Sequence, residues 1–319
     1  MEETQPLWVE KYRPKEFSEV VGQEHIVKRV QAMVEQKNLP HILMAGFAGT
    51  GKTTIALIVA MKLFGEDWRS NFLELNASSD RGIDVIRNQV KDFARTKAMG
   101  TNLPKIILLD EADALTKEAQ QALRRTMENY SQTARFILSC NFSSSIIEPI
   151  QSRCAVFRFR PLENKDVAKV IKKVAKEEGL QIDEKTIGAI ADASGGDLRK
   201  ALNILQSCAS YDKKITEKHL YEIVSAASPK DIKEVLELAL EKDFLKSREK
   251  LLEVMVNHGL GGTDIIKHIQ KEIWNLKISD EMKLKLTEKC GEAEFRIVEG
   301  SDEFIQLEAL IASFVVAKE

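Results

Sequence analysis

The sequence has few cysteines, no large excess of one charge and no apolar run of membrane-spanning length. Its four cysteines lie far apart and form no C-x-x-C pair, so we expect buried, reduced thiols rather than a zinc site. The net charge of −2 excludes a uniformly basic coat for nucleic acid but leaves room for local basic patches. Because no apolar run reaches the ~20 residues that a membrane helix needs, no membrane segment is predicted.

The amino-terminal stretch also lacks the apolar core of a signal peptide. Its residues, MEETQPLWVEKYRPKEF, are mostly charged or polar, so we expect an intracellular protein. At 319 residues the chain exceeds the size of one ordinary core, and two or three domains are expected.

A glycine-rich loop follows the first apolar run. Residues 42–45 are predicted to be a buried strand, and the residues after them fit G-x-x-x-x-G-K-[ST] at every fixed position. Glycines let such a loop turn tightly, with backbone N–H groups pointing at phosphate oxygens and no Cβ atoms in the way. A helix beginning near Lys52 adds the positive end of its dipole.

This loop predicts a nucleoside triphosphate site, in which Lys52 reaches the β- and γ-phosphates and the Thr53 hydroxyl binds Mg²⁺. The residues expected to contact the nucleotide are Gly46, Phe47, Ala48, Gly49, Thr50, Gly51, Lys52, Thr53 and Thr54.

Further apolar runs alternate with helical segments over the first ~160 residues. This alternation predicts an α/β domain with a mostly parallel sheet, covered on both faces by helices. The predicted strands are residues 42–45, 72–75, 106–109, 136–139 and 156–159.

From Pro161 onward the strand signal disappears, and helical spacing of apolar residues predicts an all-α remainder. In the last helix, Phe304, Leu307, Ile311 and Phe314 form one apolar stripe. The clearest predicted helices are 163–178, 183–193, 197–209, 263–275 and 302–317. We expect three domains, over residues 1–160, 161–226 and 227–319.

Two adjacent carboxylates, Asp110 and Glu111, follow the aliphatic run of the third strand. Parallel strands deliver their carboxyl ends to one edge of a sheet, where ligands bind. Asp110 is therefore predicted to complete the Mg²⁺ site that Thr53 begins, and Glu111 to orient and polarise the attacking water.

Three polar residues downstream are candidates for contact with the γ-phosphate. The amide of Asn141, after strand four, can bridge the attacking water and the phosphate. Arg153 lies away from the glycine-rich loop, so a neighbouring subunit's nucleotide is the better target, and a local salt bridge is the alternative. Arg199 opens a helix after Gly195-Gly196; it either reaches phosphate from above or is a solvated helix arginine.

The amino-terminal segment, residues 1–23, precedes the nucleotide domain and is irregular. It either wraps the base or forms an ordinary arm pinned by Trp8 and Phe17.

A helix predicted at 83–97 carries regularly spaced cations. Ile83, Ile86, Val90 and Phe93 form its buried stripe. Cations every four residues can follow a phosphate backbone without reading sequence, although a solvated basic face has the same pattern. The cations are Arg87, Lys91 and Arg95, with Arg81 and the pair Arg124-Arg125 as weaker candidates.

The same helix runs into Phe93, Met99 and Leu103. These apolar residues either dock on a protein partner or pack the loop.

Taken together, these residues resemble the AAA+ ATPases and, within them, the small subunits of replication factor C, the sliding-clamp loaders of archaea and eukaryotes. The resemblance covers essentially the whole chain. Its most particular motifs are WVEKYRP (residues 8–14), VGQ (21–23), LNASSDRGI (75–83), DEAD (110–113), SRC (152–154) and GDLR (196–199).

The resemblance implies an AAA+ P-loop NTPase core with a parallel sheet, a small helical lid and an all-α C-terminal collar domain. It implies that Asn141 is the first sensor, Arg199 the second sensor and Arg153 a finger offered to the next subunit's ATP. Lys52 and Glu111 would act with them in hydrolysis. The residues that would flank the adenine are Tyr12, Arg13, Val21 and Gly22.

The implied cofactors are ATP and Mg²⁺. The implied partners are the clamp-loader large subunit, other copies of the small subunit, a sliding clamp of the PCNA type and primer–template DNA. The helix at 83–97 would line the central chamber that holds this DNA. No membrane partner is expected. The compartment would be the cytoplasm for an archaeal source and the nucleus for a eukaryotic one.

This sequence departs from the family at Phe47-Ala48, where two prolines are usual. The chain ends soon after its collar-like helices, unlike large subunits, and it lacks the four-cysteine zinc insert of bacterial loaders. Two other functions stay open: a hexameric motor, such as a branch-migration helicase, and a nucleotide-binding scaffold without turnover.

Overall fold

The computed structural model describes residues 6–79, 84, 86–217, 219–220 and 229–316. It separates into two compact units, Met1–Lys214 and Ile215–Glu319. The predicted boundary after residue 226 lies outside the described residues. The division into three domains stays a prediction.

The first unit is built on a parallel sheet of five strands in the order β2-β3-β4-β1-β5. This confirms the predicted sheet. Each predicted aliphatic run forms a strand, because fully apolar runs suit a sheet that is buried on both faces. The strands are β1 (His41–Ala45), β2 (Phe72–Asn76), β3 (Lys105–Asp110), β4 (Ala134–Cys140) and β5 (Cys154–Arg158).

Successive side chains of β1 enter two different cores. Ile42 and Met44 pack on one face with the helices that precede and follow β1, whereas Leu43 and Ala45 pack on the other. Strand side chains alternate between faces, so both layers of helix are fixed by the same five residues. The helices of this α/β part are α1 (Trp8–Lys11), α2 (Glu24–Glu35), α3 (Lys52–Phe64), α4 (Lys91–Arg95), α5 (Lys117–Asn129) and α6 (Glu148–Gln151).

The helix predicted at 83–97 is shorter and less regular than expected. Among the described residues, a π-helical turn at Ile86–Val90 leads into α4, and Thr96 is already extended. Tertiary contacts take over the end of the helix: Thr133 Oγ1 donates to Ala94 O at 2.6 Å, and Lys105 Nζ donates to Thr96 Oγ1 at 2.7 Å. The chain therefore turns back toward β3 after Arg95.

The first unit ends in a helical region that also contains a strand pair absent from our prediction. The two-residue strand β6 (Gln181–Ile182) pairs with β7 (Lys214–Ile215), the strand at which this unit ends. Such short strands carry too few residues for an alternation signal. The helices of this region are α7 (Asn164–Glu177), α8 (Glu184–Ser194) and α9 (Leu198–Tyr211).

The second unit, over its described residues, consists of helices around one apolar core. The predicted stripe of the last helix needs one correction. Leu307, Ile311 and Phe314 are fully buried, but Phe304 is 46% exposed, and Leu310 is buried instead. Phe304 lies in the first turn, where the helix has not yet reached the core. The helices are α10 (Pro229–Leu240), α11 (Phe244–His258), α12 (Gly262–Ile273), α13 (Asp280–Val298) and α14 (Glu303–Val316).

The cysteines are reduced, as predicted: Cys140, Cys208 and Cys290 are buried and Cys154 is half-buried. Burial raises the pKa of the Cys140, Cys154 and Cys290 thiols to about 12. Within the described part of the chain, no helix has both the length and the apolar character to span a membrane.

Candidate nucleotide-binding site

A cleft of about 580 Å³ lies in the first unit, at the carboxyl ends of β1, β3 and β4. Its walls come from the amino-terminal segment, the glycine-rich loop, the ends of β3 and β4, and the lid, by which we mean helices α7–α9. The cleft brings together most of the predicted site residues: Tyr12, Arg13, Val21, Ala48, Gly49, Thr50, Gly51, Lys52, Thr53, Thr54, Asp110, Glu111, Asn141 and Arg199. Four others are not among its lining residues: Gly22, Gly46, Phe47 and Arg153.

Lys52 begins α3 directly after the glycine-rich loop and is only 8% exposed. Its Nζ donates to Gly46 O at 2.7 Å and to Phe47 O at 2.8 Å. Burial lowers the pKa of Lys52, and the charge of nearby Asp110 acts against that shift. An ammonium group has three N–H donors, so one donor remains for an anion in the cleft.

Two loop glycines are also required by neighbouring protein atoms, a reason that our prediction did not include. A Cβ on Gly46 would lie 2.4 Å from Phe159 O, and one on Gly49 would lie 1.7 Å from Asp197 Oδ1. Gly49 also has φ +67°. The loop is therefore packed between the end of β5 and the lid, which explains why Gly46 supports the cleft without lining it. Phe47 points away, with its side chain 63% exposed.

Thr53 and Asp110 are brought together from the loop and from the end of β3. The Thr53 hydroxyl donates to Asp110 Oδ2 at 2.7 Å, and the backbone N–H of Glu111 donates to Asp110 Oδ1 at 3.0 Å. A hydroxyl and a carboxylate side by side are the oxygen ligands that Mg²⁺ prefers, and Mg²⁺ sites use few protein ligands besides phosphate and water. The residues present therefore fit the predicted ion.

Glu111 has an unusual backbone conformation. Its φ of 52° and ψ of 39° lie in the left-handed region, which non-glycine residues seldom adopt. Such strain costs of order 1–3 kcal/mol and persists where the surroundings impose it, commonly at functional sites. Here it ends β3 abruptly and places Glu111 in the wall of the cleft.

Asp113 is a positioning residue that our sequence reasoning did not assign. Its Oδ2 accepts hydrogen bonds from the backbone N–H of Asn141 at 3.0 Å and of Phe142 at 3.4 Å. These bonds hold the backbone of Asn141 and Phe142, directly after the end of β4. The signal was present as the last residue of the DEAD motif, but its partner lies 28 residues further along the chain.

Arg199 lies in the first turn of α9 and lines the cleft, and its contact with phosphate stays a prediction. Asp197 caps this helix by accepting from the N–H of Lys200 at 3.1 Å. The N–H of Leu198 donates to Gly49 O at 3.2 Å. The lid helix that carries Arg199 is thus hydrogen-bonded to the glycine-rich loop itself.

On the other side of the cleft, Tyr12, Arg13 and Val21 form part of the wall, consistent with a segment that wraps the base. Gly22 is not among the lining residues, although a Cβ there would lie 2.6 Å from Cδ2 of Leu162, which does line the cleft. Trp8 and Phe17 are buried, so the alternative of a pinned arm also describes this segment.

Arg153 is held at the opposite end of the sheet from the glycine-rich loop. Its Nη2 lies 2.6 Å from Glu128 Oε1, and its Nη1 donates to Pro149 O at 2.7 Å, so the alternative of a local salt bridge is realised. Cys154, the next residue, pairs with His41 at the start of β1. The five residues of β1 separate that point from the loop by about 17 Å, more than an arginine side chain can span.

The predicted basic stripe is only partly described. Lys91 and Arg95 are exposed on α4. Arg81 lies outside the described residues, as does the side chain of Arg87. Arg124 is bonded to Glu128, the partner of Arg153, at 3.1 Å.

The fold and the cleft together define an AAA+ ATPase. The family model for ATPases associated with various cellular activities matches residues 42–162. The model for an RCF1/5-like AAA+ ATPase lid domain matches residues 169–210, and the model for the replication factor C C-terminal domain matches residues 227–313.

Curated relatives narrow the class. The chain is 53% identical to a replication factor C small subunit of Methanococcus maripaludis, over 97% of this chain and 98% of that one. It is 52% identical to one of Sulfolobus acidocaldarius, over 99% and 98%. The chain belongs to the replication factor C small-subunit family, as its resemblance indicated.

Solved structures agree with the fold. RuvB of Thermotoga maritima, a Holliday junction branch migration motor, gives a TM-score of 0.57 at 20% identity, over 72% of this chain and 80% of that one. A RuvB variant of the same organism gives 0.58 at 18% identity, over 96% and 91%. At this identity the likeness concerns the fold alone.

Proposed function

We propose that this chain binds ATP and Mg²⁺ in the cleft of its first unit and hydrolyses ATP as a subunit of a sliding-clamp loader. The observation that carries the proposal is the hydrogen bond of 2.7 Å between Thr53 and Asp110. It joins the two sequence motifs, 57 residues apart, that ATP hydrolysis needs next to each other. The proposed role in a clamp loader rests on the family, since replication factor C small subunits are similar to this chain over nearly its whole length.

Each wall of the cleft has a separate role in this proposal. The free N–H of Lys52 contacts the phosphates, and Thr53 and Asp110 hold Mg²⁺, which supplies positive charge against the phosphate oxygens. Glu111 accepts a hydrogen bond from the attacking water and orients it, while the Asn141 amide bridges water and γ-phosphate. Arg199 contributes a second cation from the lid.

Arg153 serves the nucleotide of the next subunit. The support is its position, about 17 Å from the glycine-rich loop of its own chain, and its location on the surface, with 37% of the side chain exposed. An arginine supplied from a neighbouring chain can accelerate phosphoryl transfer by about 10³–10⁵-fold. Hydrolysis then depends on assembly with a large subunit and further small subunits.

The DNA contact is proposed for α4, whose exposed Lys91 and Arg95 can follow a phosphate backbone. Arg81 and Arg87 would extend this contact. The ATP-bound assembly opens the sliding clamp and holds primer–template DNA, and hydrolysis releases both. This cycle requires that the ATP state favours clamp and DNA more than the ADP state does.

The test is ATP hydrolysis by the complex of this chain with its large subunit, clamp and primed DNA. We expect turnover that rises when clamp and DNA are added, and a loss of about 10²–10⁴-fold in a complex carrying Glu111→Gln. Clamp loading should be lost with it. Equal turnover in the wild-type and Glu111→Gln complexes would contradict the proposal that this chain hydrolyses ATP and would favour a passive scaffold.

The mass of the same assembly separates a clamp loader from a ring motor. A complex containing the large subunit, active in loading a clamp onto primed DNA, supports the proposal. A closed hexamer of this chain alone that moves along DNA would contradict it.

A further inference from the structure

The residue after α7, Glu178, binds two side chains of the amino-terminal segment. Its Oε1 accepts hydrogen bonds from Tyr12 Oη and from Lys11 Nζ, each at 2.6 Å. The Glu178 side chain is 19% exposed, and Tyr12 precedes it by 166 residues. Burial alone would raise the pKa of Glu178, but these two donors hold it below its ordinary value, so the carboxylate is ionised.

These bonds lie in the wall of the cleft. Lys11 and Tyr12 line it, and so does Glu177, the neighbour of Glu178. The bonds therefore join two walls of the cleft other than the glycine-rich loop, namely the lid and the amino-terminal segment. In the proposed function this is where the base lies.

A second contact fastens the same segment to the lid. The backbone N–H of Trp8 donates to Gln206 Oε1 of α9 at 2.9 Å, and the Trp8 side chain is buried. The Trp8 and Tyr12 rings meet edge to face, with their centroids 6.5 Å apart. The segment is thus anchored at Trp8, and the Glu178 bonds fix the ring of Tyr12 at its other end.

The orientation of Tyr12 matters because an aromatic ring binds a base through its flat face. Tyrosine has two side-chain torsions, and the hydroxyl bond to Glu178 restricts both. Lys11 neutralises the carboxylate, so Glu178 adds no uncompensated negative charge to a cleft that receives a polyphosphate.

We propose that Glu178 is a positioning residue for the base of the bound nucleotide: it orients the Tyr12 ring and couples the base-contacting segment to the lid. The inference rests on the proposed ATP binding and extends it to a residue outside every motif. Glu178 is predicted to act on base-containing ligands only, since its two bonds are to the amino-terminal segment and not to the glycine-rich loop.

The experiment compares ATP with inorganic tripolyphosphate, which lacks the base, in the presence of Mg²⁺. The dissociation constants are measured by titration calorimetry on the full chain. Glu178→Ala should weaken ATP binding by about tenfold, because the Tyr12 ring loses the bond that orients it, and should leave tripolyphosphate binding unchanged. Glu178→Gln keeps an acceptor oxygen and should restore most of the ATP affinity.

Two further variants separate positioning from general damage to the lid. Tyr12→Phe removes the same bond from the other side and should weaken ATP binding about as much, without adding to Glu178→Ala in the double variant. Glu184→Ala removes another ion pair of the lid, the one to Lys172 at 2.7 Å, and should leave the affinity for both ligands unchanged.

Unchanged ATP affinity in Glu178→Ala would overturn the inference, and so would an equal loss for both ligands. If Glu178→Ala does not fold, Tyr12→Phe decides by the same two-ligand comparison. Failure of the wild-type chain to bind either ligand would instead refute the proposed function.

Discussion

The two ends of the cleft are built in different ways. The phosphate end consists of neighbouring residues of one loop and of adjacent strand ends, joined by bonds such as Lys52 to Gly46 and Thr53 to Asp110. The base end is assembled from residues 166 to 198 positions apart, which are joined by side-chain bonds between the amino-terminal segment and the lid. The sheet therefore sets the positions of the residues at the phosphate end, whereas bonds to the lid set those at the base end.

In the proposed function a nucleotide contacts both ends, so its binding joins the lid to the sheet. ATP would favour one position of the lid, and with it of Arg199, over another only to the extent that its affinity for the two positions differs.

The largest expected effect is at the phosphate end. Lys52→Ala removes the loop's only ammonium and should weaken ATP binding by about 10–100-fold, because charge-assisted hydrogen bonds contribute most there. The affinity for tripolyphosphate should fall by the same factor as the affinity for ATP. Lys62→Ala, on the same helix but paired with Glu16 on the surface, is the control and should bind both ligands normally. A loss confined to ATP would contradict the division into two ends.

A smaller effect is expected where the two ends meet. Gly49→Ala places a methyl group against Asp197 and should push the lid from the loop, lowering the midpoint of thermal unfolding and weakening ATP binding by about tenfold. Gly179 has the same φ of +67° but no atom within 4 Å of a Cβ, so Gly179→Ala controls for backbone strain alone. Equal ATP affinity of the Gly49→Ala and Gly179→Ala variants would show that the contact between Gly49 and Asp197 does not affect ATP binding.

The effect expected at Asp113 is confined to turnover. Asp113→Ala leaves the Asn141 N–H without its acceptor and should lower kcat by about tenfold while the affinity for ATP stays the same. Asp113→Asn retains an acceptor oxygen and should recover most of the turnover. Weaker ATP binding without a change in kcat would exclude a role through Asn141.

The same contrast explains how much the sequence could predict. The phosphate end was predictable because its residues are consecutive and have a fixed spacing, and the strands because their aliphatic runs are continuous. The roles of Glu178 and Asp113 were not predictable. The residues next to an acidic side chain at a helix end or in a turn do not indicate which distant residue it will bond. The sequence shows the glycines of the loop, but the crowding around Gly46 and Gly49 involves Phe159 and Asp197, which only the fold brings close.

Irregular structure limited the prediction elsewhere. Apolar spacing predicted one helix at 83–97, but spacing cannot register the hydrogen bonds from Lys105 and Thr133 that end it. The sequence placed Arg153 away from the glycine-rich loop but left open a local salt bridge or a contact with the next subunit's nucleotide; the salt bridge to Glu128 is visible only in the fold.

The central claim is that the nucleotide of one subunit is completed by Arg153 of its neighbour, and mixed assemblies test it most directly. Complexes carrying only Arg153→Ala lack the finger, and complexes carrying only Lys52→Ala lack the phosphate contact, so each alone should hydrolyse ATP at a small fraction of the normal rate. In assemblies reconstituted from both variants with the large subunit, an intact loop can face an intact arginine, and turnover should exceed the sum of the two parents. Turnover no higher than that sum, at any mixing ratio, would contradict the account.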